Sequence, residues 1–230
     1  MASPTRPRHE AAHARLRADI VSGRWASGER LPFAALCREY TASVGVIREA
    51  LVRLVEQGLV TSHPQQGFFV VETSPQDLLD IAEVRAEVES LAVRRATESG
   101  GLEWESEVVA AHHRLANTPT IDPNTEDYSR LWVASHLEFH STILRGLENR
   151  RLWTSVQQLR NMAELYTRWL PAARSELAEA MLSEHQEIVD AIVARDVDRV
   201  SAVTRQHILR QATELSRSMI AAGVGVATES

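Results

Sequence analysis

Residues 36–71 constrain the fold of this chain more than any other segment. Their sequence predicts two short amphipathic helices that meet at a tight turn around Thr41 and Ala42. A hairpin that contains Gly67 follows the second helix directly. A bracing helix, a second helix and a hairpin wing, in this order, are the parts of a winged helix-turn-helix. The segment therefore predicts a small domain of that type.

The periodicity of the neighbouring residues extends this domain to residues 10–73. Residues 1–9 are polar and are predicted to form a disordered tail. A first helix is predicted over residues 11–22. The second and third helices are marked by large apolar side chains at helical spacing, namely Leu36, Tyr40, Ile47, Leu51 and Leu54.

Capping and turn residues set the limits of the third helix and of the hairpin. Ser43 is placed to cap the start of this helix, and Gly58 is placed to end it. Strands are predicted over residues 59–61 and 68–72, joined across the turn-rich residues 63–67.

After a short boundary at residues 73–76, the pattern is helical through residues 77–222. Ser74 and Pro75 are expected to start the first of these helices. Its apolar stripe is predicted from Ile81, Val84, Val88 and Leu91. Further helices are predicted over residues 103–117, 126–145, 152–169, 174–194 and 197–221. The fold class is therefore mainly α, with an N-terminal winged helix-turn-helix and a C-terminal all-α helical bundle.

The composition restricts the class of protein. Cys37 is the one cysteine, which excludes an intrachain disulfide and fits a reducing compartment. The N-terminal residues lack the apolar segment of a signal peptide, and no apolar run reaches the length of a membrane span. We therefore expect a cytoplasmic protein with no membrane partner.

Charge is divided unevenly along the chain. The net charge of −6 argues against a non-specific nucleic-acid binder. Residues 1–73 carry nine Arg and seven acidic residues, a balance of +2, whereas the remainder carries sixteen Arg and twenty-four acidic residues, a balance of −8. A mildly basic domain joined to an acidic one is the pattern expected of a DNA-binding part with a separate sensing part.

Three helices of the second part each direct imidazole towards the interior. His136 and His140 are four positions apart on one helix, so their rings lie over the same face. His185 and His207 lie on the apolar faces of two later helices. A lone inward histidine is usually a satisfied core residue, but three converging helices indicate a metal site, and neutral imidazole suits zinc or nickel.

Other polar residues of the bundle have less certain surroundings. Arg85 lies on the inward side of its helix, where it is either paired with Glu89, four positions on, or available to an acidic ligand. The neighbours His112 and His113 cannot both face inward, and we predict that they lie mainly at the surface.

Two sets of motifs occur in order along the chain. The first comprises Gly28-Glu-Arg-Leu31, Arg48-Glu-Ala-Leu51 and Gly58-Leu-Val60, followed by Gly67 and Val70. The second comprises Glu83-Val-Arg85 with Glu89, Glu138-Phe-His140, Glu184-His185 and His207. This series resembles the GntR family of bacterial repressors and, in its second part, the helical FCD effector domain of the FadR subgroup. The resemblance covers roughly residues 10–220.

The resemblance implies a ligand set. His140, His185 and His207 fall on the three histidines that bind a divalent metal ion in the family. The fourth ligand is usually an Asp, and here His136 stands in its position. Four neutral imidazoles leave the charge of the ion uncompensated, which an anionic effector would offset. The resemblance also implies that Arg85 is involved in the effector pocket.

The third helix is expected to present donors to DNA at its N-terminal end. Ser43 and Arg48 are so placed, while Arg38 and Arg53 are positioned for backbone phosphates. The tip of the wing is expected to reach the minor groove or the sugar-phosphate edge through His63, Gln65 and Gln66. The alternative is that Arg48 and Arg53 are simply solvated charges on a helix.

The first domain departs from the family pattern in its DNA-facing residues. Val44 and Val46 stand where relatives usually carry Arg and Pro, and Phe33 begins a segment in which a charged run with an Arg is usual. These changes remove contacts to bases or phosphates. We therefore expect an operator that differs from those of relatives.

Two other functional classes fit the sequence less well. A helical-bundle metalloenzyme would use the histidines, but Glu138 stands one place too late after His136 for the His-Glu-x-x-His pattern of zinc proteases. A purely structural interaction protein leaves the inward histidines unexplained. The sequence thus predicts a metabolite-responsive transcriptional regulator and not an enzyme.

The predicted regulator is most often a repressor in families of this type. A homodimer is expected to place two recognition helices on a pseudo-palindromic operator of double-stranded DNA. A small carboxylic acid is the expected effector, and the metal ion itself is the alternative signal.

Overall fold

The first domain, called the head below, is a three-helix unit with a hairpin wing. A computed structural model describes residues 8–122, 129–166 and 175–224 of the chain. The head comprises α1 (Arg8–Val21), α2 (Phe33–Glu39), α3 (Val44–Glu56), β1 (Val60–His63) and β2 (Gly67–Val70). Of the predicted tail, residues 1–7 lie outside the described ranges. Residues 8 and 9 already belong to α1, whose polar first turn carries no periodic signal.

The limits of α3 follow from its terminal residues, as predicted. The Ser43 hydroxyl accepts a hydrogen bond from the Val46 backbone N–H at 3.4 Å, as an N-cap does. At the other end Gly58 has φ +73°, the left-handed conformation that ends many helices. The limits of α3 are therefore set by residues that can be recognised in the sequence.

The turn of the wing is tighter than predicted, and the strands lie over slightly different residues. β1 and β2 pair antiparallel from Val60–Val70 to His63–Gly67, so the strands continue into the predicted connector. The chain before α2 lies along β2, because the Leu31 N–H donates to the Phe68 carbonyl at 2.8 Å and the Val70 N–H donates to the Glu29 carbonyl at 2.9 Å. These backbone hydrogen bonds fix the wing to the segment that precedes α2.

The second domain is a bundle of six helices among the described residues. They are α4 (Pro75–Ser99), α5 (Leu102–Ala116), α6 (Arg130–Leu144), α7 (Arg150–Glu164), α8 (Ser175–Val193) and α9 (Val197–Ala221). Ser74 caps α4 by accepting from the Asp77 N–H at 3.0 Å, as expected. No helix in the described ranges combines the length and apolar character that crossing a membrane requires.

Two helices of the bundle differ from prediction within the described residues. Ser129 is not helical and α6 begins at Arg130, whereas the predicted start at residue 126 lies outside the described ranges. α7 ends at Glu164, and its predicted end at residue 169 likewise lies outside them. Leu165 and Tyr166 form a turn there and are 2% and 0% exposed, because leaving the helix directs both side chains into the core.

The stripe predicted for α4 is also wrong in part. Ile81 is buried, but Val84 is 53% and Leu91 43% exposed. The inward face instead runs through small residues such as Ala82 and Ala86, both nearly inaccessible. Because alanine lets another helix approach closely, α9 packs along this side of α4. The large apolar residues Val84 and Leu91 therefore predicted the wrong buried face for α4.

The hydrophobic core is divided into two clusters. The first is continuous from the head into the bundle, since Leu16 and Ile20 of α1 belong to the same cluster as Ile81 of α4 and Leu215 of α9. The second lies among α5, α6 and α8 and includes Phe139. The head is therefore packed onto the bundle through apolar contacts that both domains share.

Helix α7 provides the polar part of this contact. Arg17 of α1 donates to Glu164 at 3.0 Å and to the Asn161 side-chain oxygen at 3.2 Å. Near the end of α3, a Cβ added at Gly58 would lie 2.8 Å from Cγ of Met162, so the missing side chain permits this close approach. One side of α7 is thus in direct contact with the head.

Candidate metal centre and DNA-reading surface

The four predicted histidines converge inside the bundle. His136 and His140 extend from α6, His185 from α8 and His207 from α9. Nε2 of His136 lies 3.2 Å from Nε2 of His140, and one ring nitrogen from each of the four lies within 4.8 Å of the others. His140, His185 and His207 are at most 8% exposed. Helix periodicity therefore placed all four residues on the correct faces.

The ring nitrogens of this cluster fit a bound cation. Within the described part of the chain, neither ring nitrogen of His185 nor Nε2 of His207 has a hydrogen-bond partner. A buried polar atom without a partner costs about 1–3 kcal/mol. A divalent ion coordinated by these lone pairs would satisfy them, since imidazole nitrogen is a preferred ligand of zinc and nickel.

Glu184 orients one of the candidate ligands. Its carboxylate lies 2.7 Å from Nδ1 of His207 and also pairs with Arg210. If His207 carries its proton on Nδ1 and donates it in a hydrogen bond to Glu184, Nε2 of His207 keeps a lone pair directed into the cluster. Sequence reasoning assigned no such role to Glu184, because a contact between α8 and α9 leaves no periodic signal.

Burial keeps the cluster neutral, which is the form that binds metal. Burial, reinforced by the neighbouring His207, lowers the pKa of His136 to about 3. Burial likewise lowers the pKa of His140 and of His185 well below the ordinary value. Since protonated imidazole has no lone pair to donate, the fold holds these side chains ready for coordination at neutral pH.

A buried ion-pair triad lies next to the histidines. Glu89 is 1% exposed and accepts hydrogen bonds from Nε of Arg85 at 2.8 Å and from Nε of Arg160 at 3.0 Å. Burial alone would raise the pKa of Glu89, but Arg160 and Arg85 outweigh it and lower the pKa to about 2. Of the two alternatives left open for Arg85, the pairing with Glu89 is observed, whereas Arg160 was not anticipated.

A cavity of about 200 Å³ connects the triad to the histidine cluster. Arg85, Arg160, His136 and His140 line one part of it. Arg85 therefore contacts Glu89 and the cavity at the same time, so that ion pairing and access to a ligand do not exclude each other.

The surface prediction for the two adjacent histidines of α5 is half wrong. His113 is exposed, but His112 is only 8% exposed and packs on Phe139, with ring centroids 5.5 Å apart. Burial lowers the pKa of His112. Successive helical residues differ by about 100° in direction, so one neighbour is buried while the other is not.

The head presents several of the predicted DNA-reading residues together. Ser43 is exposed directly before α3, Arg48 is exposed on α3, and Arg38 is exposed on α2. The Arg48 guanidinium lies over the Phe33 ring, 4.9 Å from its centroid. Phe33 thereby packs against the guanidinium of Arg48. The wing tip exposes the three remaining predicted residues, His63, Gln65 and Gln66.

Arg53 lies apart from this group. It is exposed near the C-terminal end of α3 and lines a groove with His13 of α1 and with Gln158 and Asn161 of α7. The structure therefore places Arg53 beside the contact between head and bundle.

Glu138 does not serve the histidine cluster. It is exposed on α6 and accepts a hydrogen bond from Arg145 at 2.7 Å. The side chain between His136 and His140 in sequence thus points to the helix surface, as the sequence pattern indicated.

A winged helix-turn-helix head packed on a helical bundle, with a cavity that is polar at the histidine cluster, is the architecture expected of a DNA-binding transcriptional regulator. Residues 8–70 match the bacterial regulatory proteins of the gntR family, and residues 80–210 match the FCD domain. The chain belongs to the GntR family and has an FCD-type C-terminal domain, as the motifs predicted.

Named relatives agree with this assignment, and a solved structure has a similar fold. The chain is 34% identical over 208 residues to the HTH-type transcriptional repressor GlaR of Escherichia coli K12, covering 89% of this chain and 94% of that protein. It is 36% identical over 203 residues to the uncharacterized regulator BphR of Paraburkholderia xenovorans, covering 86% and 81%. The fold is similar to that of E. coli McbR/YncC, with a TM-score of 0.72 at 21% identity, covering 94% and 99% of the two chains.

These relatives are transcriptional regulators, and the metalloenzyme alternative is not supported. DNA is accordingly the partner of the head.

Proposed function

We propose that this protein is a homodimeric repressor whose DNA affinity is controlled by a small carboxylate bound beside a divalent metal ion. The convergence of His136, His140, His185 and His207 carries the metal part of this proposal. Zinc or nickel is the expected ion. The ion would supply positive charge and an anion-binding position, while the four imidazoles remain neutral.

The charges around the cavity support an anionic effector. Arg85 faces the cavity beside the cluster, and its partner Glu89 is shared with Arg160. Two guanidinium groups against one carboxylate leave one net positive charge before any metal is counted. A carboxylate is the small ligand that matches this charge with paired hydrogen bonds. Binding changes repression only if the ligand prefers one arrangement of the heads.

Metal analysis of purified protein tests the ion site. After saturation with zinc and removal of the excess, the wild type should retain about one ion per chain. The His140→Ala/His185→Ala double variant should retain far less, because two buried ligands are lost. His113→Ala is the matched control, since His113 is exposed on α5. A wild-type protein without metal, or a double variant with full metal content, would contradict the site.

Band-shift titration tests the reading head. Against the genomic fragment that the wild type selects, Arg48→Ala should lose about 1–3 kcal/mol of binding free energy. Arg199→Ala removes an exposed arginine of the bundle and should leave affinity unchanged. Equal affinities for both variants would remove Arg48 from the interface.

Sedimentation of the free protein tests the dimer, and a monomer at working concentration would overturn it.

A further inference from the structure

The cavity beside the histidines follows the seam between α4 and α9. The two helices run antiparallel, since Arg94 donates to Asp198 at 2.5 Å and Arg205 donates to Glu87 at 3.0 Å, two turns further along. Residues from both helices line the cavity, so helix numbering gives positions along its length.

One end of the cavity is polar. Arg85, Arg160, His136 and His140 line this end, and Glu89 accepts from both guanidinium groups. The net positive charge there suits a single carboxylate group.

The other end is apolar and adjoins the head. On α4, Leu78 lies seven residues from Arg85, or about 10 Å along the helix. The lining around Leu78 comes from α1, α4 and α9 and comprises Val21, Leu78, Ile81, Ala82, Ala212 and Leu215. This end offers hydrophobic surface about two helical turns from the positive charge.

Charge at the apolar end disfavours a second anionic group. Glu164 is the one charged residue among the described lining residues at the end of the cavity near the head. Its carboxylate is anionic and is paired with Arg17 of α1. A second carboxylate placed there would be desolvated beside a like charge without a described cation of its own. A dicarboxylate therefore fits this cavity less well than a monocarboxylate of the same length.

We infer that the effector is a monocarboxylate with an apolar body, its carboxylate at Arg85 and its body extended along the seam to Val21. This inference rests on the proposed effector site and specifies its ligand class. Because Val21 belongs to α1, the body of the ligand contacts the head itself. Such a contact supplies the differential affinity for two head positions that a regulatory ligand needs.

Calorimetric titration of the zinc-loaded full-length protein tests the ligand class. The probes are straight-chain monocarboxylates from acetate to octanoate, with adipate as the dicarboxylate matched in length to hexanoate. Affinity should rise by about fourfold per methylene until the apolar end is filled. Hexanoate should bind at least about tenfold more tightly than adipate.

Two variants locate the ligand within the cavity. Leu78→Ala enlarges the apolar end, so the preferred acid should become longer while acetate binding stays unchanged. Glu164→Gln removes the anionic lining, so the ratio of hexanoate to adipate affinity should fall. The melting temperature of each variant checks that it is folded.

The possible outcomes distinguish an error in the ligand class from an error in the proposed effector site. If adipate binds as tightly as hexanoate, or if chain length has no effect, the ligand class is wrong and the carboxylate site stands. If no acid binds the zinc-loaded protein, both the inference and the proposed effector site are overturned.

Discussion

Glu89 is a fully buried acid whose two partners come from different helices. Arg85 lies one turn before it on α4, and Arg160 reaches it from α7. A buried carboxylate of this kind is stable only while both guanidinium groups remain in place. The triad therefore fixes the position of α7 against α4 next to the cavity.

Replacing Glu89 by Gln should destabilise the protein by about 3–5 kcal/mol, because two buried arginines lose their counter-charge. Urea unfolding measures the change. Glu98→Gln is the matched control on α4, where a more exposed acid pairs with Arg94 and Arg95, and its effect should stay within about 0.5 kcal/mol. Equal losses of unfolding free energy for the two variants would show that the buried triad contributes no more to stability than an exposed ion pair.

The same residue predicts a pH dependence. The pKa of Glu89 is about 2 in the folded protein against an ordinary value of 4.5. Since the folded-state pKa is the lower one, the stabilisation is fully present above pH 4.5 and is lost as the pH falls towards 2. The difference in unfolding free energy between wild type and Glu89→Gln should therefore shrink over this interval.

Individual residues show where sequence reasoning succeeds and where it stops. The four histidines were predictable because each lies on the apolar face of its own helix. Arg160 and Glu184 were not, because their partners Glu89 and His207 belong to other helices, 71 and 23 positions away. Periodicity within one helix reports which way a side chain points, but not which residue it meets.

At the scale of elements, α7 contacts the triad and the head at once. Arg160 reaches Glu89, and one residue further on Asn161 accepts a hydrogen bond from Arg17 of α1. The C-terminal half of the helix also packs Met162 against Gly58, just after the recognition helix. Helix α7 therefore connects the cavity lining to the head through direct contacts.

Gly58→Ala should reveal this packing. The change costs about 1–2 kcal/mol for a left-handed backbone and a further ~1 kcal/mol or more for the collision with Met162. Gly28→Ala is the control, because Gly28 has the same φ of +73° but its added Cβ would meet Glu72 at an ordinary 3.5 Å.

A second substitution completes the comparison. Adding Met162→Ala to Gly58→Ala should recover the collision part of the loss, as measured by a double-mutant cycle in urea. Strict additivity of the two substitutions would mean that the contact between α7 and the end of α3 contributes nothing to stability.

Helix limits were predictable from capping residues and less so from apolar pattern. Ser43, Gly58 and Ser74 mark real termini because each satisfies backbone groups locally. The end of α7 was missed because burial of Leu165 and Tyr166 in the shared core, a tertiary effect, overrides a sequence that continues to look helical.

For the whole molecule, the distribution of charge determines how binding responds to salt. The first 73 residues have a balance of +2 within a chain of net charge −6, so attraction to DNA depends on a few arginines of the head. Removing one arginine that binds a phosphate should lower the slope of log affinity against log salt by about one.

The change in salt slope caused by Arg38→Ala therefore indicates how many heads bind the operator. A dimer with both heads bound should show a salt slope smaller by about two, whereas a single bound head would change it by about one. Filter binding over a range of salt concentrations provides the measurement. Arg199→Ala, in the bundle, should leave the slope unaltered, and an unaltered slope for Arg38→Ala would exclude a phosphate as its partner.

The hydrophobic cluster shared by α1, α4 and α9 bears on protein engineering. Biosensors are often assembled by grafting the DNA-binding module of one regulator onto the ligand-binding module of another. In this protein a cut just before α4, at Thr73 and Ser74, would divide one continuous core between the two fragments. A workable graft has to carry the matching surfaces of α4, α7 and α9 together with the new head, or redesign them as a set.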